Sequence, residues 1–227
     1  MTTPIAIYGA GGFAREVLQI VLDINAQSPR APIWKPVGFI VDAAFLDIEP
    51  VHDLPILGTL EWLASNPLTH IVIAVGSSAA RRRIASSIES TCANPFATLV
   101  HPRAWVGRHV AIGKGSVVCA GSQVTTDIHI GRHVHINIGS TIGHDAVLGD
   151  FVTLNPGVNM SGNVSLGEGV EVGTGSVLIP YATIGGWTIV GAGSVVTKPL
   201  AANVTAVGAP ARVIKTREPD WYKGAAT

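Results

Sequence analysis

From Val100 to Val196 an aliphatic residue or methionine returns at every sixth position: Val100, Val106, Ile112, Val118, Val124, Ile130, Ile136, Ile142, Leu148, Leu154, Met160, Leu166, Val172, Leu178, Ile184, Val190 and Val196. All seventeen keep the register, and nine are followed directly by glycine. Four residues after the aliphatic the side chain is usually small or β-branched, as at Val110, Ser116, Val134, Ser140, Val152, Val164, Ser176 and Ser194. A period of six fits neither an α-helix nor the alternation of hairpin strands. It fits a hexapeptide β-helix, in which no single turn buries its own face and stability comes from stacking. Three hexapeptides make one triangular coil, so residues eighteen apart lie above one another. That arithmetic puts Asn137 under Asn155, His135 under Thr153, and His144 between Thr126 and Gly162.

The residues before the repeat read differently. Strand-like runs at 4–8, 37–41 and 71–75 alternate with helical patterns at about 13–26, 60–65 and 79–90, which indicates a small parallel α/β sheet. Asn94-Pro95 and His101-Pro102 punctuate the passage between the two patterns, so the boundary is placed near 95: residues 1–95 form a Rossmann-like α/β domain and 96–227 a β-helix domain with a C-terminal tail. With 15 basic and 15 acidic residues the net charge is zero, which speaks against nucleic acid or an anionic membrane surface as partner. No apolar run is long enough to span a bilayer. The start of the chain lacks the marks of a signal peptide, and Cys92 and Cys119 fall in different domains; a cytoplasmic protein without a structural disulfide is expected.

Gly9-Ala10-Gly11-Gly12 lies between the first strand and the first helix, where glycines let backbone N–H groups approach a phosphate. Ala14 stands where the dinucleotide fingerprint has its third glycine, so a tight turn without ligand is the alternative. Asp42 ends the second strand and Gly76 follows the third, at the sheet edge where such folds bind ligands. A domain with three or four strands suits a mononucleotide. Of Arg81, Arg82 and Arg83, two are expected on a solvated helix face and one within reach of a phosphate. The repeat is rich in histidine, yet His129 and His135 occupy the same position of successive hexapeptides and leave by different faces, which argues against a metal site. His109 and His133 read as solvated loop residues. His144 lies just past the Gly143 corner, points outward, and is followed by Asp145. A histidine beside a carboxylate is suited to act as a general base near neutral pH, although a plain surface pair has the same spacing. Asn137, one hexapeptide earlier, is a second outward polar candidate.

Tyr8-Gly9-Ala10-Gly11-Gly12-Phe13, Ala74-Val75-Gly76, the run from His135 to Asp145, and Gly208-Ala209-Pro210-Ala211 occur in that order. In them the chain resembles the sialic acid O-acetyltransferase family of bacterial sugar acetyltransferases, in the left-handed β-helix superfamily; the group includes acetyltransferases of UDP-linked 4-amino sugars and of perosamine. The resemblance implies a left-handed β-helix trimer with acetyl-CoA in the groove between neighbouring prisms and a nucleotide-linked amino sugar on the N-terminal domain, without a metal. It implies His144 as general base, Asp145 as its carboxylate partner and Asn137 beside the sugar. Gly11, Gly12 and Phe13 would cover the phosphates, Asp42 would meet the nucleoside, and Gly76 would be a further ligand contact. Gly162, Thr174 and Ala192 would line the pantetheine arm. Thr153 takes the place near CoA where some members carry a second histidine, with His135 or Asn155 as possible substitutes. The expected reaction is N-acetylation of a 4-amino-4,6-dideoxy sugar for a bacterial surface glycan. The alternatives are O-acetylation of sialic acid or another sugar hydroxyl, a non-catalytic nucleotide-binding trimer, and, least favoured, a dinucleotide oxidoreductase.

Overall fold

All seventeen six-residue positions fall on short strands, and these strands sort into three parallel sheets that form the faces of a left-handed triangular prism. The structure is a computed structural model that describes residues 2–224. Partners lie eighteen residues apart: His135 with Thr153, Thr141 with Asn159, His129 with Val147. The fourteen core residues from Val118 to Val196 are at most 3% exposed, whereas Val100, Val106 and Ile112, in the coil that opens the stack, are only partly buried. Burial of each such side chain contributes roughly 1.5–3 kcal/mol, so the stack supplies its own core.

The corners explain the rest of the hexapeptide. The residue three places after each core position turns left-handed at most corners, whether it is Gly115, Gly139 and Gly175 or His133, Asp145, Phe151 and Trp187. The glycines directly after the core positions serve close approach instead: a Cβ on Gly113 would lie 2.5 Å from the backbone of Gly131 in the next coil. The small inward serines are satisfied from the corners, with Ser116 Oγ donating to Gly131 O at 2.9 Å and Ser176 Oγ to Gly191 O at 3.0 Å.

The N-terminal unit comprises β1 (Thr3–Tyr8), α1 (Gly12–Ala26), β2 (Trp34–Ile40), β3 (Ile56–Gly58), α2 (Leu60–Ala64), β4 (His70–Ile73) and α3 (Ser78–Thr91). Its sheet is parallel, in the order β3-β2-β1-β4. The stripe Ala14, Val17, Leu18 and Val21 packs α1 onto it. Pro95–Ala97 runs beside Ile71 as an extension of that sheet and leads into the first coil at Leu99.

The N-terminal unit covers one face of the prism. Outward residues of that first face, Leu99, Val117, His135 and Thr153, are therefore buried. The second face presents Trp105, Gln123, Thr141, Asn159, Val177 and Val195, none of them charged.

Candidate functional site

Two separate places gather the side chains suited to chemistry. In the first, β1, β2 and β4 converge at their carboxyl ends on a cavity of about 360 Å³ whose walls include Tyr8, Gly9, Gly11, Asp42, Phe45 and Ser77. The volume is in the range of small-molecule sites. Gly9 takes φ +102°, and a Cβ there would lie 3.1 Å from Ala74 O, so glycine lets the turn pass close to the neighbouring strand. Helix α1 follows Gly11 as its N-cap residue, with no side-chain cap and no acidic residue in its first turn. Its first N–H groups are thus free to meet an anion, with the helix dipole favouring negative charge. No lysine or arginine lines the cavity itself, but Arg15 lies beside the helix start, its Nη2 3.8 Å from where a Cβ on Gly12 would stand, so an anion there would have that charge next to the backbone donors. Tyr8 Oη donates to Asp42 Oδ1 at 2.5 Å; burial first, then the carboxylate, push the phenol pKa up, and Tyr8 stays a donor. Phe45 and Ile48, about half and two-fifths exposed, form the apolar end.

The second place is the edge between the second and third faces. Asp145 Oδ2 sits 2.7 Å from His144 Nδ1, and both side chains are more than half exposed. A carboxylate only accepts, so in the neutral ring that bond assigns the proton to Nδ1 and leaves the lone pair on Nε2. The left-handed backbone of Asp145 (φ 59°) folds the carboxylate back onto the preceding ring. As the stacking arithmetic requires, the ring lies against Gly162 one coil above: a Cβ on Gly162 would come within 2.7 Å of Cε1 and Nε2. Asp145 N donates to Thr126 O one coil below.

Other expected residues are placed differently. Gly11 lines the cavity and Gly12 opens α1 beside it, but Phe13 turns toward the prism, its ring 4.9 Å from that of His135. The carbonyl of Gly76 accepts from Arg81 and Thr153, which turns this residue toward the prism. Asn137 is only 9% exposed, and its amide donates to Leu154 O at 2.8 Å; Asn155 does the same to Val172 O one coil up. These two form a ladder that closes a corner, which corrects the expectation of an outward Asn137 side chain. Thr174 and Ala192 are exposed and stacked, on the edge between the first and second faces, with Asn137 and away from His144 and Gly162.

Thr153 is 3% exposed and bonded to Ser78, Arg81 and Gly76, so its side chain is not open to a cofactor. His135 is shut in with it, its Nε2 on Ile73 O at 3.0 Å. His133, expected in solvent, is fully buried: its ring stacks on Phe151 and meets Phe96 edge-on, with neither nitrogen hydrogen-bonded. Arg81, a candidate for a phosphate, is fully buried as well. These departures have one cause, the docking of the N-terminal unit on the first face, which a period of six does not reveal. Tyr8, Phe45 and Ser77 were not singled out as site residues. For Tyr8 the available signal is a strand-end tyrosine directly before the glycine turn. Among the described residues no group of three His, Cys, Asp or Glu could hold a metal ion, and no helix is long and apolar enough to cross a membrane.

Residues 4–88 match the PglD N-terminal domain family. Over 136 residues the chain is 32% identical to the GDP-perosamine N-acetyltransferase of Escherichia coli O157:H7; the match covers 58% of this chain and 58% of that protein, so the chain spans little more than half of the relative's length. In three dimensions the chain is similar to a mutant of perosamine N-acetyltransferase from Caulobacter crescentus in complex with CoA and GDP-perosamine, with 29% identity, a TM-score of 0.83, and 93% of this chain and 96% of that chain covered. It is similar as well to WeeI from Acinetobacter baumannii AYE, with 33% identity, a TM-score of 0.81, and 92% and 99% of the two chains covered.

Proposed function

The chain belongs to the bacterial sugar acetyltransferases of the left-handed β-helix class, and from that premise we propose that it transfers the acetyl group of acetyl-CoA to the amino group of a nucleotide-linked 4-amino sugar. The observation that carries this reading is the His144–Asp145 pair, exposed on a rigid edge with Nε2 free. The CoA and GDP-perosamine held by the Caulobacter protein support the choice of both substrates. The diphosphate would lie on the uncapped start of α1, with the nucleoside between Asp42 and Phe45.

His144 Nε2 takes the proton that the substrate ammonium must lose before the nitrogen can attack the thioester carbonyl. Asp145 stabilises the imidazolium formed. A new N–C bond forms, the C–S bond breaks, the departing thiolate takes the proton held by His144, and the second proton of the attacking nitrogen passes to solvent as the amide forms. Both cysteines stay out of the chemistry; burial pushes the Cys119 thiol up to about 12.

One chain holds only part of such a site. His144 and Gly162 stand on one edge of the second face; Thr174 and Ala192 stand on the other. A homotrimer that packs the uncharged second faces near its axis would bring one protomer's His144 edge against the next protomer's Ala192 edge, with CoA between them.

The reading is tested by incubating the protein with acetyl-CoA and GDP-, UDP- and dTDP-linked 4-amino sugars, and by mass spectrometry of the products. Acetylated amine is expected with at least one of them. Acetylation only of hydroxyl sugars, or release of CoA with none, would sink the assignment.

Gly162→Ala tests the geometry of the base. The added methyl must displace the His144 ring, an exposed side-chain end, without disturbing the core. Turnover is expected to fall roughly ten- to a hundredfold while the melting temperature holds, because misplacing a base by about 1 Å costs about that much. A rise in the KM for acetyl-CoA alone would make Gly162 a cofactor contact instead.

A further inference from the structure

Arg81 makes six hydrogen bonds from a site with no solvent exposure. Nη1 donates to Val75 O at 2.9 Å and Gly76 O at 3.1 Å, within the turn between β4 and α3. Nε donates to His133 O at 2.8 Å. Nη2 donates to Phe151 O at 2.7 Å, Val152 O at 3.3 Å and Thr153 Oγ1 at 2.8 Å. One guanidinium thus ties the Val75–Gly76 backbone to two successive coils. Phe151–Thr153 belong to the chain that has just passed His144, less than half a coil earlier.

Three outward residues of the first face, stacked at eighteen-residue intervals, grip the same segment. His135 Nε2 donates to Ile73 O at 3.0 Å, Thr153 Oγ1 meets Gly76 O at 3.2 Å and Ser78 Oγ at 3.0 Å, and Glu171 Oε1 accepts from Ser78 N at 2.7 Å. The gripped segment is also a wall of the nucleotide cavity, to which Val75, Ser77 and Ala80 contribute. A buried charge needs several well-placed acceptors to offset its desolvation, and the planar fork of arginine can reach acceptors on both sides of a junction where a lysine cannot.

We propose that Arg81, seconded by Thr153 and Glu171, is a positioning residue that sets the height and tilt of the nucleotide cavity on the coil bearing His144. This rests on the reading of the cavity as the sugar-nucleotide site. Substrate is bound by the N-terminal unit and deprotonated at the β-helix, so an error in their relative placement is read in the amino sugar and not in the acetyl donor.

Arg81→Lys supplies three donors for six acceptors. With the sugar nucleotide accepted by the wild-type enzyme, its KM is expected to rise about tenfold and kcat to fall, with the KM for acetyl-CoA within about twofold of wild type. Arg82→Gln on the same helix removes the partly exposed bridge to Glu168 and the cation–π contacts with Trp187 and Tyr222, none of which touches the cavity wall, and is expected to change neither constant. Should Arg81→Lys fail to fold, Thr153→Val, which keeps the shape and deletes the hydroxyl shared by Arg81, Ser78 and Gly76, is expected to move the sugar-nucleotide KM in the same direction by about threefold. Unchanged constants in a folded Arg81→Lys or Thr153→Val enzyme, or equal losses for both substrates, overturn the positioning role while the functional reading stands. A wild-type protein that neither binds GDP, UDP or dTDP by calorimetry nor acetylates their amino sugars overturns both.

Discussion

A His144→Ala protein is expected to acetylate its amino sugar about a thousandfold more slowly than wild type while keeping its melting temperature and its affinity for CoA. The size follows from the usual contribution of a positioned general base, about 10²- to 10⁴-fold. The selectivity follows from the side chain's position: it is more than half exposed on the edge of a prism whose core it does not touch, so the fold loses nothing with it. Asp145→Asn should be milder. Asparagine tolerates the left-handed corner that Asp145 occupies but presents no full charge to the imidazolium. Steady-state kinetics with sugar nucleotide and acetyl-CoA varied in turn, beside calorimetric titration of CoA, separate these expectations. A His144→Ala enzyme that keeps full turnover ends the assignment of the base.

Acid should loosen the protein through the junction of its two units. His133 is buried between Phe96 and Phe151, and burial, reinforced by the positive charges of Arg81 and Arg132, holds its pKa down at about 4. Glu89 pulls the other way more weakly, and Lys114 adds to the depression. His135 is held well below its ordinary value by burial first and then by Arg81. Both are neutral in the folded chain and titrate near 6.5 when it unfolds. Between pH 6.5 and 4 the unfolded chain therefore binds more protons, so stability is lost as pH falls through this window and the loss from His133 levels off below about 4. The His133 share is about 3 kcal/mol, from roughly 1.4 kcal/mol per unit of pKa.

His133→Phe isolates that share. Phenylalanine already occupies the stacked position one coil above, Phe151, with the same left-handed backbone, so the fold accepts it. Urea unfolding at pH 7, 5.5 and 4.5 should give a variant at least as stable as wild type at pH 7 and markedly less sensitive to acid. Parallel pH curves for the two proteins would show that His133 contributes nothing to the acid response. Carboxylates common to both cancel in the comparison.

The legibility of this protein was uneven for physical reasons. Each hexapeptide repeats the same local problem, one aliphatic inward and one tight corner, so the period, the coil, and the stacking of His144 against Gly162 could all be counted off the chain. The helices and strands of the N-terminal unit were readable from their own apolar patterns; β2 began earlier, at Trp34, and β4 ended at Ile73, because pairing with β1 and not residue preference sets those ends. Asn137 shows a limit inside the repeat. Its position was predictable, but its amide turned to the carbonyl of the next coil instead of solvent.

By itself the order of residues determined the architecture, the coil register, the outward edge carrying His144 and Asp145, and the glycine turn ahead of α1. These depend on interactions between neighbours a few residues or one coil apart. Only the tertiary structure decided which face of the prism the N-terminal unit covers. That docking buried His133, His135, Thr153 and Arg81, residues that a local pattern would leave in water. Their fate depends on contacts between segments tens of residues apart, such as Arg81 with Phe151, and no period in the chain encodes those.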